Sequence, residues 1–160
     1  FMHGGDQEMG RRASTHNVPG IVGLGKAVEV AGQEMKAEME QLRPLRDYLI
    51  KGILAGVSDS FLNGHPEMRL PNNVNVSIPG ADGEAMLAAL DRAGIACSSG
   101  AACASSSMEP SHVLSATGIP PEVAFGSLRF SLGRATTRDD IEYVLEVLPG
   151  IVDRLRSGVM

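Results

Sequence analysis

The two cysteines of the chain, Cys97 and Cys103, lie in a stretch of small residues, CSSGAACASSS, at positions 97–107. A thiol acts as a nucleophile only when it is deprotonated and accessible. The serines, alanines and glycine around Cys103 neither pack into a core nor hold a loop, so they predict an exposed, mobile loop. Cys97 ends an apolar segment, which favours packing. Composition alone leaves open whether Cys103 is a nucleophile or an unreactive thiol.

A second residue suited to chemistry is Arg129, in the segment SLRFSL at positions 127–132. The alternation predicts a strand with Leu128, Phe130 and Leu132 on its buried face, so Arg129 lies on the opposite face. A guanidinium there can bind a carboxylate through two parallel hydrogen bonds. A structural ion pair or an exposed edge arginine would give the same pattern, and the pattern does not choose between them.

Helices and further strands must position these two residues. The periodicity of apolar residues and the capping signals predict the elements that follow. The first is a long amphipathic helix over 21–56, which Pro44 kinks or splits. Strands are predicted over 61–64, 74–78 and 94–98, and a helix from Asp82 to Gly94. A short helix from Pro110 that Gly118 ends, a brief turn at Pro120 and a helix after Thr137 follow, and Pro149 and Gly150 interrupt the last helix. This order predicts an α+β fold, a small sheet covered by helices on one side.

The chain divides by composition into three segments. Residues 1–20 are polar and glycine-rich, which predicts a loop or a segment that faces a partner. Residues 21–56 form the long connecting helix, and residues 57–160 form the α+β domain, with the cysteine loop at 98–108.

The overall composition excludes several classes of function. A net charge of −5 argues against a nucleic-acid partner. No apolar run approaches the roughly 20 residues that a membrane span needs. The four histidines show no metal-ligand spacing with the cysteines or carboxylates, so no metal site is expected. Two cysteines in one loop do not form a disulfide framework, which indicates a reducing cytoplasm.

Four stretches of the chain resemble the C-terminal part of cysteine desulfurases of the NifS/IscS branch. They are spread over nearly the whole chain, from residue 3 to residue 149, and keep the family's order. They are HGGDQEMGRRASTHNVPGIVGLGKA at 3–27, LPNNVNVSIPG at 70–80, CSSGAACASSSMEPSHVLSATGI at 97–119 and SLRFSLGRATTRDDIEYVLEVLP at 127–149.

The resemblance implies the small C-terminal domain of a dimeric, fold-type I enzyme that uses pyridoxal phosphate. In that family a loop cysteine takes the sulfur of L-cysteine, which gives L-alanine and an enzyme persulfide. Cys103 matches this nucleophile, Arg129 matches the arginine that binds the substrate carboxylate, and Thr15 matches the threonine that reaches the cofactor phosphate of the partner subunit. The persulfide sulfur then passes to an acceptor or iron–sulfur scaffold protein.

Two features depart from the family pattern. Ser14 stands where the family has glycine, directly before Thr15. None of the three lysines, Lys26, Lys36 and Lys51, matches the lysine that forms a Schiff base with the cofactor. The isolated chain is therefore expected to lack a complete cofactor site and to be inactive alone. The alternative is a stand-alone domain that carries persulfide, or binds sulfur acceptors, without the cofactor.

Overall fold

A computed structural model of the chain describes residues 3–99 and 111–158. The chain forms two compact units, Phe1–Glu38 and Met39–Met160. The strands are β1 (Asp6–Gln7), β2 (Arg12–Ala13), β3 (Phe61–Leu62), β4 (Asn73–Ser77) and β5 (Ser127–Ser131). The helices are α1 (Val18–Gly56), α2 (Gly83–Arg92), α3 (His112–Ala116), α4 (Pro121–Ala124) and α5 (Arg138–Arg156).

The sheet of the second unit is antiparallel, with the strand order β3-β4-β5. In β4 and β5, Val74 lies opposite Phe130 and Val76 lies opposite Leu128. These four side chains share one face of the sheet, because successive residues of a strand point to opposite faces. The opposite face carries Asn75 and Ser77 from β4, with Ser127 and Arg129 beside them in β5.

One hydrophobic cluster covers the first of these faces. Strand residues Val74, Val76 and Leu128 are completely buried in it. The second half of α1 contributes Leu49 and Ile53, α2 contributes Met86 and Leu90, and α5 contributes Leu148 and Val152. The predicted α+β fold, a small sheet with helices on one side, is confirmed, as is the inward face of both alternating strands.

The predicted caps are confirmed at both helices where the sequence indicates them. The Asp82 side chain accepts a hydrogen bond from the Ala85 amide at 2.8 Å, and Gly94 adopts a positive φ of 78° just after α2. Thr137 and Asp140 form a reciprocal capping box at the start of α5. Such caps satisfy amides that the first turn of a helix leaves without partners.

Both interior prolines lie within continuous helices, so a split at Pro44 and the interruption at Pro149 and Gly150 are wrong, while a kink at Pro44 stays a prediction. Helix α1 is not split at Pro44, and α5 continues through Pro149 and Gly150. A proline removes one backbone donor and crowds the preceding turn. Pro44 is exposed, while Leu42 and Arg46 on either side of it are buried. The buried contacts of α1 therefore hold the helix across the lost hydrogen bond.

Two other expectations need correction. The predicted strand over 94–98 reduces to one antiparallel bridge, between Ser98 and Arg129. The first 20 residues are not only loop: β1 and β2 form an antiparallel hairpin, and α1 begins at Val18 rather than at Ile21. The side chain of Asn17 accepts a hydrogen bond from the Gly20 amide at 3.1 Å, which caps the first turn of α1. The predicted helix start at Pro110 lies outside the described residues.

Candidate active site

Arg129 is held at the centre of β5 by the packing of its two neighbours. Leu128 is fully buried and Phe130 is 4% exposed, so both anchor the strand to the helical side. Arg129 projects from the other face and is half-buried, opposite Asn75 of β4. The strand thus presents a guanidinium on the sheet face that the hydrophobic core does not occupy, as the alternation predicts.

Ser98 pairs with Arg129 at the free edge of β5. The Arg129 amide donates to the Ser98 carbonyl at 2.7 Å, and the Ser98 amide donates to the Arg129 carbonyl at 3.0 Å. The side chains are also joined, because Arg129 Nη2 donates to Ser98 Oγ at 3.2 Å. Two backbone bonds and one side-chain bond therefore fix Ser98 against the arginine.

The Arg129 guanidinium keeps unused donors. Its Nε is buried and has no hydrogen-bond partner among the described residues. The hydroxyl of Ser127, on the same face of the sheet, is also buried and also lacks a described partner. Within 3–99 and 111–158, no carboxylate forms an ion pair with Arg129. A buried donor without an acceptor costs about 1–3 kcal/mol. A bound carboxylate would remove that cost and pair with the positive charge.

Cys97 behaves as a packing residue. Its side chain is half-buried and lies against the hydrophobic cluster. Burial, with a smaller contribution from the negative charge of Asp91, raises the pKa of the Cys97 thiol to about 11. A thiol with this pKa is almost entirely protonated near neutral pH, so it is a poor nucleophile. The sequence expectation of a packing role for Cys97 agrees with this environment.

Cys103 lies outside the described residues, and its role stays a prediction. The residues that lead into its segment are fixed. Beyond Ser98, the Ser99 hydroxyl donates to a carboxylate oxygen of Glu84 near the start of α2. On the far side of the segment, Ser111 is 7% exposed and precedes α3. The described chain is thus anchored just before and just after the segment that carries Cys103.

Thr15 lies in the first compact unit, between β2 and α1, and is exposed. Arg129 belongs to the second unit. The neighbouring Ser14 has a φ of 68°, in the left-handed region that glycine adopts most readily. Its amide donates to the Gly5 carbonyl at 2.9 Å, and its hydroxyl donates to the His3 carbonyl at 3.0 Å. Ser14 replaces the glycine of the family, but its backbone keeps the left-handed conformation typical of glycine.

The three lysines do not fit a Schiff-base role. All of them lie on α1 and are exposed, and Lys26 forms an ion pair with Glu29 at 2.9 Å. A Schiff-base lysine needs a pocket that can lower its pKa and enclose the cofactor. In the described parts of the chain, none of the three lysines lies in such a pocket.

Other kinds of site find no support in the described parts of the chain. Residues 3–99 and 111–158 contain no group of three or more histidine, cysteine, aspartate or glutamate side chains placed to hold a metal. His65 is exposed, and its Nδ1 accepts hydrogen bonds from the Glu67 and Met68 amides, which is a turn-stabilising role. Among the helices described, none is both long and apolar enough to cross a membrane.

Sequence reasoning missed Ser98 as part of the site. The available signal was the short apolar segment before it, which predicts a strand but does not say which strand it joins. The pairing with Arg129 spans 31 residues of sequence, and only the fold shows it.

Comparison with known proteins defines the family. The model for aminotransferase class-V matches residues 3–144. The chain belongs to this family. A cysteine desulfurase IscS from Clostridium botulinum is 55% identical over 159 residues, which cover 98% of this chain and 40% of that protein. A cysteine desulfurase IscS from Methanosarcina thermophila is 54% identical over 157 residues, which cover 98% of this chain and 39% of that protein.

A solved structure of a similar protein agrees with the fold. A NifS-like protein from Rickettsia africae superposes with a TM-score of 0.80 at 30% identity, over 95% of this chain and 39% of that chain. The chain therefore spans about 40% of the length of the relatives that it matches. The expected relation to the NifS/IscS branch is confirmed for the family and for the fold.

Proposed function

We propose that the protein containing this chain is a cysteine desulfurase, which moves sulfur from L-cysteine to Cys103 and releases L-alanine. Relatives that carry this name at 54% and 55% identity across nearly the whole chain support the proposal. The observation that carries it is the guanidinium of Arg129, half-buried on the polar face of the sheet with a buried Nε donor that no described residue uses.

Arg129 would bind the α-carboxylate of L-cysteine. Its guanidinium carries five N–H donors in a planar fork. One Nη2–H donates to the hydroxyl of Ser98. No described residue takes the others, which would donate to two carboxylate oxygens. Such a pair fixes both the position and the rotation of the amino acid, because two parallel hydrogen bonds allow one orientation. A lysine would supply charge without this geometry.

Cys103 would take the sulfur atom. Its thiolate attacks the sulfur of L-cysteine, so that a sulfur–sulfur bond forms and the carbon–sulfur bond of the substrate breaks. The carbon keeps the electron pair and gains a proton, which gives L-alanine and a persulfide on the protein. Pyridoxal phosphate supplies an electron sink when bound. Because the lysines here do not fit it, the longer protein would provide most of its site, with Thr15 of one subunit contacting the cofactor phosphate of the other.

The remaining parts of the proposal follow from the resemblance. The protein would act as a homodimer in the cytoplasm and pass its persulfide sulfur to a scaffold or acceptor protein for iron–sulfur clusters or other thio-cofactors. The isolated chain would be inactive toward L-cysteine even with added pyridoxal phosphate.

A chimaera tests the proposed function. This chain replaces the matching 40% of the Clostridium botulinum relative. The purified chimaera is given L-cysteine, and L-alanine is measured together with the mass of the peptide that contains Cys103. We expect L-alanine formation and a mass increase of one sulfur atom. Cys103→Ser should lower the rate by about a thousandfold or more, since loss of a nucleophile removes the covalent route.

Cys97→Ser is the matched control, because it alters the other thiol six residues earlier. It should keep most of the activity. A chimaera that folds, shows cofactor absorbance and forms no L-alanine would contradict the proposal. So would a Cys103→Ser variant that is as active as the unaltered chimaera, or a persulfide found on Cys97. L-alanine formation by the isolated chain would refute the requirement for other residues.

A further inference from the structure

We infer that Ser98 is the residue that positions Arg129 for carboxylate binding. This inference rests on the proposed function and extends it to a side chain that does not itself touch the substrate. Three contacts between Ser98 and Arg129, all at 3.2 Å or less, carry it.

The backbone geometry brings the two side chains together. Ser98 and Arg129 exchange both of their amide–carbonyl bonds, which defines a hydrogen-bonded pair of an antiparallel ladder. Side chains of such a pair stand on the same face of the sheet, with their Cβ atoms about 5 Å apart. A short side chain at position 98 can therefore meet the guanidinium, and it does so through Oγ.

A hydroxyl suits this task better than a charged group. Ser98 Oγ accepts one proton of Nη2 and leaves the positive charge of Arg129 intact. An aspartate there would neutralise the charge and take the donors that a substrate carboxylate needs. No carboxylate of the described residues is paired with Arg129, so the hydroxyl orients the guanidinium while its charge stays available.

On the β4 side of Arg129, no described side chain offers a comparable restraint. Asn75 lies across from it in β4, but its Oδ1 accepts the Asn63 amide group at 2.6 Å. Asn63 also bonds Ser77, so these three side chains form hydrogen bonds with one another. Among the described residues, the one side-chain hydrogen bond of the Arg129 guanidinium is thus the bond to Ser98.

Nuclear magnetic resonance of the chain labelled with ¹⁵N-arginine tests the positioning role without any enzymatic assay. A held guanidinium rotates slowly about its Nε–Cζ bond and gives separate Nη signals. We expect separate signals for Arg129 in the unaltered chain and in Ser98→Thr, which keeps the hydroxyl. Ser98→Ala should give one averaged signal. Arg129→Lys assigns the signals by removing them.

Steady-state kinetics of the chimaera supply the second readout. Ser98→Ala should raise KM for L-cysteine about tenfold and change kcat less than twofold, because a misoriented guanidinium weakens binding before the sulfur moves. Ser98→Thr should restore KM. Ser99→Ala is the matched control, because Ser99 bonds Glu84 instead of Arg129, and it should leave KM unchanged.

The outcomes separate the two proposals. An unaltered chimaera that forms no L-alanine overturns the proposed function, whereas the resonance result still decides whether Ser98 restrains Arg129. An active chimaera in which Ser98→Ala has a normal KM overturns the positioning role. A variant that loses kcat and thermal stability together, or averaged Arg129 signals in the unaltered chain, also overturns it.

Discussion

Among the residues described in the unit Met39–Met160, twenty buried apolar side chains form one cluster. In contrast, none of the residues described in the unit Phe1–Glu38 is buried. The first unit is held by local hydrogen bonds, namely the β1–β2 pairing, the contacts of Ser14 and the cap at Asn17. Seven of its large apolar side chains are exposed: Met9, Val18, Ile21, Val22, Leu24, Val28 and Met35.

The two units therefore differ in what stabilises them: burial of apolar surface in the second and local hydrogen bonds in the first. Burial of apolar surface stabilises by about 25 cal/mol per Å², so the second unit has a large driving force of its own. Isolated helices and two-stranded hairpins are marginal in water. The candidate site residue Arg129 lies in the unit with a core, and Thr15 lies in the unit without one. Substitutions in the two units should therefore have very different effects on stability.

The largest expected effect comes from matched leucine truncations. Leu128→Ala removes a fully buried side chain and should lower the free energy of unfolding by about 2–5 kcal/mol. Leu24→Ala removes a side chain that is 66% exposed, and it should change the stability by about 0.5 kcal/mol or less. Urea unfolding followed by circular dichroism measures both, since the chain has no tryptophan. Equal losses for the two variants would break the comparison.

Most of the second unit could be predicted from sequence, because its signals are local. The alternation at Val74 and Val76, the same pattern at Leu128 and Phe130, and the Thr137 capping box each need only a few neighbouring residues, and each is confirmed. Alternating apolar residues indicate a half-buried strand, and a capping pair indicates the start of a helix, whatever fold surrounds them.

The predictions that failed depend on longer-range information. Continuity of α1 through Pro44 depends on tertiary contacts that the helical pattern does not show. The hairpin before α1 has two-residue strands, and its turn places Glu8 and Met9 at positive φ, which their residue types do not suggest. The start of α1 was indicated by Asn17 as a cap with Pro19 in the first turn, a signal that the polar composition of residues 1–20 obscured.

In the candidate site, sequence predicted the face of Arg129 but not its partner. Alternation places a side chain on a face, whereas the identity of the neighbouring strand depends on how distant segments pair. The contact between Ser98 and Arg129 was therefore identified only from the β-bridge between the two residues in the structure. The role of Cys103 stays a prediction from the resemblance.

A smaller effect is expected at Cys97, on the edge of the second unit's core. Because burial raises its pKa from 9.0 to about 11, the folded state holds this proton more tightly than the unfolded state. This contribution to stability is complete below pH 9 and is lost as the pH rises toward 11. In a Cys103→Ser background, alkylation of Cys97 should increase through pH 11 in the folded chain and through pH 9 in urea.

Asp91→Asn sharpens this test, since Asp91 supplies the lesser cause of the shift. It should lower the Cys97 pKa only slightly, because burial is the larger cause. A return of the pKa to its ordinary value in Asp91→Asn would show that charge dominates. Folded and unfolded chains that react with the same pH dependence would show that Cys97 is not packed against the core.

The smallest effect is expected in the first unit, at Ser14. Its φ of 68° is unfavourable for a residue with a Cβ, by about 1 kcal/mol. Ser14→Gly removes this strain but also removes the exposed bond to the His3 carbonyl and makes the unfolded chain more flexible. The net gain should therefore stay below about 1 kcal/mol. Hydrogen exchange of the residue 14 amide, which bonds Gly5, should slow by a few-fold.

Ala13→Gly is the control for Ser14→Gly, because Ala13 lies next to Ser14 in β2 and does not have a positive φ. Glycine there gains no relief from strain and loses more conformational freedom on folding, so exchange at residue 14 should become faster. If both substitutions accelerated exchange equally, the left-handed backbone before Thr15 would not be a feature of the folded unit. If exchange of the residue 14 amide became slower in Ser14→Gly and not in Ala13→Gly, the local backbone preference at residue 14 would be shown to stabilise this unit, which has no core.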